Sequence, residues 1–157
     1  MSVQGDAEWF AERCGKVTAS RIADVMAKTK SGYGASRKNY MTQLVIERLT
    51  GEVAESYTNA AMEWGIETEP EARAEYEARE GVLVIETGFI KAPQMMAGAS
   101  PDGLVGDDGL IEIKCPNSAT HLDTILTEKV PDKYIKQMHW QMFCTDRQWC
   151  DFLSYDP

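Results

Sequence analysis

The stretch ASPDGLVGDDGLIEIKCP, residues 99–116, decides the fold of this chain. Two short apolar runs, 103–105 and 110–113, stand on either side of an Asp107-Asp108-Gly109 turn. Short apolar runs joined by an Asp-Gly turn are typical of an antiparallel hairpin with buried strands. We therefore predict such a hairpin as part of a central sheet.

Three charged residues lie at one end of this predicted hairpin. Asp102 precedes the first strand, and Glu112 and Lys114 stand two residues apart on the second. Because side chains alternate along a strand, Glu112 and Lys114 share one face, whereas Ile111 and Ile113 point into the core. Charged side chains on an apolar strand are costly unless they are paired or bind a metal ion. The pattern therefore indicates a functional site.

The chemistry that suits these residues is metal-assisted cleavage of a phosphodiester. Asp102 and Glu112 offer the hard oxygen ligands that Mg²⁺ prefers, and the Ile113 carbonyl is available as a further ligand. Lys114 can orient the attacking water, help to deprotonate it, or offset charge on the phosphate. This is the PD-(D/E)xK pattern of many nucleases. A surface turn followed by an exposed strand face is the alternative, but the apolar flanks and a further carboxylate source at 64–71 favour the nuclease.

The remainder of the chain predicts helices on both sides of a run of short strands. We expect helices over about 6–12, 18–27, 37–50, 58–80, 118–127 and 131–145, and strands over 82–85, 89–90, 95–99, 103–105, 110–113 and 149–154. Residues 28–36 are predicted to form a mobile basic loop. This order indicates an α/β (α+β) domain with a central mixed, largely antiparallel sheet flanked by helices.

Local signals mark the ends of several helices. Thr18 or Ser20 can cap the second helix, and Gly51 stands where the third should end. Pro70 marks a kink or a break in the fourth. The apolar side of the third helix should consist mainly of four residues: Tyr40, Leu44, Ile46 and Leu49.

Length and composition describe an ordinary globular protein. The 157 residues, 43% hydrophobic and 26% charged, fit a single domain over 1–157. No segment approaches the roughly 18 consecutive apolar residues of a membrane span, and the N-terminus does not resemble a signal peptide. We therefore expect a cytoplasmic protein. The four cysteines lack close pairs, which favours free thiols and argues against an iron–sulfur cluster.

Charge is distributed unevenly along the chain, whose net charge is −9. Residues 1–50 contain eight Lys or Arg and five Asp or Glu, whereas residues 51–112 contain three and fourteen. A basic N-terminal third can meet phosphates despite the negative total. The acidic middle is either a solvated helix face or a site that collects divalent cations.

Six separated blocks of sequence resemble the phage lambda exonuclease family, the YqaJ-type viral recombinase nucleases of the PD-(D/E)xK superfamily. The blocks follow the order of that family and span residues 13 to 157. They are Arg13-x-Gly15-x-x-Thr18-Ala19-Ser20; Trp64-Gly65 with Glu69 and Ala72-Arg73; Ser100-Pro101-Asp102-Gly103-Leu104; Glu112-Ile113-Lys114-Cys115-Pro116; Tyr134-x-x-Gln137; and Tyr155-Asp156-Pro157.

The resemblance implies a role for individual residues. Asp102, Glu112 and the Ile113 carbonyl would bind Mg²⁺, for which Mn²⁺ should substitute, and Lys114 would position the water. Glu69 would support the metal site through water. A pocket for the 5′-terminal phosphate would combine a guanidinium fork, two hydroxyls and an amide, from Arg13, Ser20, Ser100 and Gln137. Met62 would separate the strands as an apolar wedge, and Lys30 would contact the DNA.

The resemblance also implies the activity and the partners. Members of the family are homotrimers that bind double-stranded DNA ends, degrade one strand from 5′ to 3′, and act with a single-strand annealing protein. The strand and helix that follow in relatives are absent from, or not represented in, the 157 residues. Two other functions stay open: a PD-(D/E)xK endonuclease and a catalytically silent module that binds DNA ends. A phage or prophage protein in the bacterial cytoplasm is the expected setting.

Overall fold

The computed structural model describes residues 2–54 and 58–157 of the chain. These residues form six α-helices: α1 Ala7–Arg13, α2 Ile22–Met26, α3 Ala35–Thr50, α4 Ala60–Glu80, α5 Ser118–Thr127 and α6 Asp132–Thr145. They also form nine strands: β1 Val17–Thr18, β2 Lys28–Thr29, β3 Gly32–Tyr33, β4 Val84–Ile85, β5 Ile90–Lys91, β6 Ala97–Ala99, β7 Gly103–Val105, β8 Gly109–Lys114 and β9 Trp149–Ser154. The single domain over 1–157 stays a prediction, since Met1 and 55–57 lie outside the described residues.

The predicted hairpin is the centre of a four-stranded sheet with the order β4-β7-β8-β9. β7 and β8 pair antiparallel, as the sequence predicts, and the structure places Gly103 opposite Ile111. β8 also pairs with β9 over its whole length, in parallel, so the final strand forms one edge of the sheet. Gly103 is required in β7, because a Cβ there would lie 2.0 Å from Val84 Cγ1.

The other predicted strands divide between this sheet and a second one. β5 and β6 pair antiparallel, and β1 adds to β6 in parallel, which makes a three-stranded sheet of order β1-β6-β5. Most strand pairs are antiparallel, and helices lie against both sheets. The mixed α+β fold class is therefore confirmed, although the predicted single sheet is divided into two.

The segment predicted as a mobile basic loop is a two-stranded hairpin instead. Lys28 pairs with Tyr33 and Thr29 with Gly32, so Lys30 and Ser31 form its turn. Backbone pairing was not visible in the sequence because Gly, Ser and Lys have low strand propensity. The Arg37 guanidinium lies 3.7 Å from the centre of the Tyr33 ring and supports the hairpin from α3.

Two expectations about the N-terminal helices are wrong. Neither Thr18 nor Ser20 caps α2 through its side chain. Thr18 instead precedes a 3₁₀ turn, Ala19–Arg21, and its hydroxyl lies 3.4 Å from the oxygens of Ser20 and Tyr40. The α2 helix is only five residues long, because this turn replaces its first part.

The long helices follow the sequence closely, with two corrections. α3 ends at Gly51, whose φ of +71° is the left-handed conformation that glycine adopts at little cost. Ile46 and Leu49, however, are 54% and 81% exposed, so they do not belong to the buried side of α3. α4 continues through Pro70 without a break. Pro70 is exposed, so water can satisfy the carbonyl that loses its amide partner.

The buried residues form two clusters that set the position of the hairpin. One lies between α4 and the four-stranded sheet and contains Ala72, Tyr76, Val105, Ile111 and Ile113. The other lies between α6 and the three-stranded sheet and contains Ala19, Ala92, Ala97, Ala99 and Cys144. α4 and α6 therefore bring their polar residues to the same end of β8. No helix within the described residues is long and apolar enough to cross a membrane.

Candidate active site

Asp102 and Glu112 converge at the end of the β7–β8 hairpin. Asp102 Oδ2 accepts a 2.7 Å hydrogen bond from the Ile113 amide, and this bond joins the Pro-Asp-Gly turn to the last residues of β8, which ends at Lys114. Glu112 is fully buried. Burial, and then the Glu112 charge, raise the pKa of Asp102 to about 8. Two buried carboxylates that repel each other create a demand for a cation.

Lys114 meets part of this demand. Its ammonium forms an ion pair with Glu112 Oε1, and its side chain is 28% exposed. Burial opposes the charged form, but the charges of Glu112 and Asp102 outweigh burial and raise the pKa of Lys114. Lys114 is therefore held as an ammonium beside both carboxylates, where it can donate hydrogen bonds to water or phosphate.

Glu69 reaches the same place from helix α4. Arg73, one turn further along α4, donates from Nη2 to Glu69 Oε1 at 2.5 Å and to the Asp102 carbonyl at 3.3 Å. Arg73 also forms an ion pair with Glu86 at 2.9 Å. Burial raises the pKa of Glu69, and the Arg73 charge opposes that rise. Arg73 thus ties α4 to the turn that carries Asp102.

Two glutamines of helix α6 hold the Glu112 carboxylate. Gln137 Nε2 donates to Glu112 Oε1 at 2.8 Å, and Gln141 Nε2 donates to Oε2 at 2.7 Å. The resemblance assigned Gln137 to the phosphate pocket, whereas the observed contact of its amide nitrogen is with Glu112. A role of Gln137 toward phosphate stays a prediction.

Two of the predicted phosphate ligands lie together. The Arg13 guanidinium is stacked 3.9 Å from the centre of the Trp9 ring, and its Nη1 lies 3.5 Å from Ser100 Oγ. Trp9 Nε1 donates to the same Ser100 oxygen at 2.8 Å. Ser20 is exposed and neighbours Thr18. Among the described residues, no hydrogen bond joins Ser20 or Gln137 to the Arg13–Ser100 pair.

A cleft of about 1000 Å³ extends from Arg13 to Asp102, whereas Glu112, Lys114 and Ser100 are not among the residues that line it. Its walls include Arg13, Met62, Glu69, Arg73 and Asp102. This volume is within the range of about 300–1,000 Å³ that is usual for ligand sites. The predicted phosphate ligand Arg13, the predicted wedge Met62 and the predicted metal ligand Asp102 therefore share one cavity.

The two predicted DNA-contact residues occupy different parts of the surface. Met62 is 46% exposed in the first turn of α4 and lies on the cleft wall. Lys30 is exposed at the turn of the β2–β3 hairpin, outside the set of residues that line the cleft.

The donor set fits a hard divalent cation, although not as a complete cage. In the described part of the chain, no group of three or more His, Cys, Asp or Glu residues could hold a metal ion by itself. Asp102, Glu112 and a backbone carbonyl offer oxygen ligands only, which suits Mg²⁺, an ion that keeps several waters when bound. Over residues 2–54 and 58–157, Lys114 is the single cationic partner of Glu112, so the two carboxylates leave negative charge for an ion to balance.

Three residues of the site were given no role from the sequence: Trp9, Gln141 and Arg73, the last of which stands in one of the six blocks of resemblance. Each of the three stands four residues from a predicted site residue, and the pairs are Trp9–Arg13, Glu69–Arg73 and Gln137–Gln141. Residues four apart on a helix are neighbours on one face. That spacing is the sequence signal that could have identified them.

Comparison with known proteins identifies the family of the chain. The sequence model of one protein family, the YqaJ-like viral recombinase domain, matches residues 8–148. The chain belongs to this family. The search of curated proteins gives no match.

Solved structures resemble the chain over most of its length. An alkaline exonuclease from Laribacter hongkongensis, LHK-Exo, is 58% identical, with a TM-score of 0.88, over 96% of this chain and 74% of that one. The same enzyme in complex with dAMP has a TM-score of 0.89 at the same identity and coverage. A phage-related exonuclease from Haemophilus somnus 129PT is 19% identical, with a TM-score of 0.69, over 89% of this chain and 68% of that one, and shares the fold. The chain is therefore a nuclease of a DNA-recombination family.

Proposed function

We propose that the chain is a Mg²⁺-dependent exonuclease that degrades one strand of linear duplex DNA from 5′ to 3′ and leaves a 3′ single strand for recombination. The observation that carries this proposal is the convergence of Asp102, Glu112 and Lys114 at the end of one hairpin. A surface turn and an exposed strand face, the alternative weighed above, would not leave Glu112 fully buried.

Asp102, Glu112 and the Ile113 carbonyl would hold the ion, and Mn²⁺ should substitute for Mg²⁺ because it accepts the same oxygen ligands. When bound, the ion supplies activation of water and stabilisation of charge on the phosphate. Lys114 orients the attacking water and offsets negative charge, as its ammonium already faces both carboxylates. Glu69, half-buried on the cleft wall, supports the site through water.

The 5′→3′ polarity would come from a pocket for the terminal phosphate built from Arg13, Ser20, Ser100 and Gln137. The contact between Arg13 and Ser100 and their position beside the Asp102 cleft support this assignment. A terminal phosphate bound at Arg13 would place the next phosphodiester near the carboxylates. Met62, which lines the same cleft, would separate the strands.

The substrate and partners follow from the same proposal. Double-stranded DNA ends are the substrate, a homotrimer is the assembly, and a single-strand annealing protein receives the 3′ strand. The basic hairpin turn at Lys30 contacts the duplex outside the cleft. The protein acts in the cytoplasm of a bacterial host of the phage or prophage.

The central test compares Asp102→Asn with Asp107→Asn. Asp107 is exposed in the turn of the same hairpin, so it provides the identical chemical change away from the site. With Mg²⁺ and a 5′-phosphorylated linear duplex, we expect Asp102→Asn to lose at least about a hundredfold in cleavage rate while it still binds DNA ends. Equal loss in both variants, or cleavage by Asp102→Asn at the native rate, would falsify the metal-site assignment.

Polarity needs a separate test with labelled DNA ends. We expect mononucleotides to be released from 5′-phosphorylated ends faster than from 5′-hydroxyl ends, and Arg13→Ala to remove this difference. Cleavage of covalently closed circular DNA would instead identify an endonuclease. DNA-end binding without any cleavage by the native chain in Mg²⁺ or Mn²⁺ would identify the silent binding module.

A further inference from the structure

The donors around Glu112 are distributed unequally between its two carboxylate oxygens. Oε1 receives both the Lys114 ammonium and the Gln137 amide. From the part of the chain that the structure describes, Oε2 receives only the Gln141 amide, at 2.7 Å. Each carboxylate oxygen can accept about two hydrogen bonds or ligand bonds. The remaining acceptor capacity of Glu112 among the described residues is therefore on Oε2, next to Gln141.

Gln141 is as deeply buried as the carboxylate that it contacts. Both side chains have 0% exposure. The hydrogen-bond contact of the Gln141 amide oxygen within the described residues is a weak one, 4.0 Å from Cys150 Sγ. An amide buried at this depth is costly unless it makes strong hydrogen bonds, and a bond to a carboxylate is among the strongest available. The contact with Glu112 is thus the main interaction that Gln141 makes.

The helix explains why this contact is rigid. Gln137 and Gln141 stand one turn apart on α6, and α6 packs against the three-stranded sheet through Cys144 and Trp140. Glu112 stands on β8, which lies between β7 and β9 in the four-stranded sheet, and it is paired with Phe152 of β9. Gln141 therefore connects two rigid elements, and it restricts the direction in which Glu112 presents Oε2.

We propose that Gln141 is a positioning residue, which orients Glu112 so that Oε2 can bind the divalent cation. The proposal rests on the proposed function, since it assumes that Glu112 is a metal ligand. Residues that hold metal ligands in place by hydrogen bonds typically contribute 10- to 100-fold in metal affinity or activity. Gln137 differs from Gln141 because it donates to Oε1, the carboxylate oxygen that Lys114 also contacts.

The test uses Gln141→Met, which keeps an unbranched side chain of similar size and removes the amide. Gln148→Met makes the same change at an exposed position and serves as the control. Thermal unfolding during a Mg²⁺ titration reports the affinity for the ion without any catalysis. We expect Gln141→Met to bind Mg²⁺ roughly 10- to 100-fold more weakly than the native chain, and Gln148→Met to bind it normally. A folded Gln141→Met with native affinity overturns the proposal.

A second measurement avoids the variant if Gln141→Met does not fold. Side-chain amide resonances of the native chain can be followed by NMR during the same titration. We expect the Gln141 amide protons to exchange slowly with water and to shift as Mg²⁺ binds, while those of Gln148 stay unchanged. Mg²⁺ binding with no shift at Gln141 overturns the proposal.

The two proposals fail in different ways. A native chain that binds no Mg²⁺, or an Asp102→Asn chain that binds it normally, overturns the metal site and the role of Gln141 together. A native chain whose Mg²⁺ binding requires Asp102 but is insensitive to Gln141→Met overturns the role of Gln141 alone.

Discussion

Asp102 shows how the fold changes the chemistry of a single residue. In an extended chain its carboxyl group would be ionised at neutral pH. In the fold, burial and the nearby charge of Glu112 raise its pKa to about 8, although the Ile113 amide favours the ionised form. The ionised form of Asp102 is therefore destabilised in the fold at a position where a cation can bind. Such perturbed carboxyl groups are common at functional sites.

This shift predicts how stability depends on pH in the metal-free protein. The pKa of Asp102 is about 8 in the folded protein and about 3.9 in the unfolded chain, so between these values the folded state holds a proton that the unfolded state has lost. The free energy of unfolding is therefore highest, as far as Asp102 is concerned, below pH 4, and it decreases as the pH rises towards 8. Between pH 5 and pH 8, we expect the unfolding free energy of Asp102→Asn to decrease by at least about 1 kcal/mol less than that of the native chain. Urea unfolding in EDTA measures this.

Asp107→Asn is the control for that experiment, because Asp107 is exposed. Mg²⁺ should reverse the effect, since binding of the ion favours the ionised carboxylate, and should stabilise the native chain more at pH 8 than at pH 5. The same pH dependence in the native and Asp102→Asn chains would contradict the prediction.

The β7–β8 hairpin shows how a secondary-structure element positions the site. Its turn and register place Asp102 beside the amide of Ile113, and Gly103 allows β4 to approach β7 closely. The Pro-Asp-Gly sequence is therefore a packing requirement as well as part of the proposed catalytic motif. Any side chain at Gly103 must displace Val84 or move Asp102.

Gly103→Ala tests this requirement. Its Cβ would meet Val84 Cγ1 at 2.0 Å, so we expect a loss of roughly 1–3 kcal/mol in unfolding free energy. Val84→Ala in the same chain should recover part of that loss, because it removes the clashing methyl group. Gly65→Ala is the matched control: a Cβ there meets nothing within 4 Å, so denaturation should show no loss. A stable Gly103→Ala chain would mean that β4 and β7 are not closely packed.

The β2–β3 hairpin is a second element with its own prediction. Lys30 is exposed at its turn, close in sequence to the basic residues Lys28, Arg37 and Lys38. If the hairpin contacts the DNA backbone, Lys30→Ala should weaken binding to duplexes of any sequence and reduce the salt slope by about one unit. Lys129→Ala, exposed between α5 and α6, should leave the slope unchanged. Fluorescence anisotropy at several salt concentrations measures both, and equal slopes would exclude the hairpin contact.

At the scale of the whole molecule, exposed apolar side chains lie on α3 and α5, whose residues do not line the cleft. Met41, Val45 and Leu49 lie one turn apart on α3 and are 58%, 48% and 81% exposed. Leu122, Ile125 and Leu126 of α5 are also exposed. Contiguous apolar patches of this kind mark interaction surfaces. They support the proposed assembly of several copies.

The proposed trimer gives a direct prediction for solution mass. Light scattering after size-exclusion chromatography should report three times the mass of the chain. Replacement of two exposed residues of α3, Val45→Glu with Leu49→Glu, should reduce that mass if this helix contributes to the contacts, whereas the exposed α4 change Glu63→Gln should not. A monomeric native chain would contradict the homotrimer.

The sequence predicted those parts of the structure that depend on local patterns. The bounds of α5, α6 and β9, the end of α3 at Gly51 and the β7–β8 hairpin follow from periodicity, caps and turns, which act over a few residues. The alternation along the strand, which predicted that Glu112 points to the other face of β8 from Ile111 and Ile113, is equally local. The pattern of charged residues proposed to be catalytic was therefore readable from one short stretch.

Only the tertiary structure decided which distant segments meet. The parallel pairing of β8 with β9, the division of the strands into two sheets and the contact of Gln141 with Glu112 join residues far apart in sequence. The exposure of Ile46 and Leu49 also depends on which faces of α3 find partners. Such contacts depend on how whole helices and sheets bury apolar surface together, so no short stretch of sequence contains them.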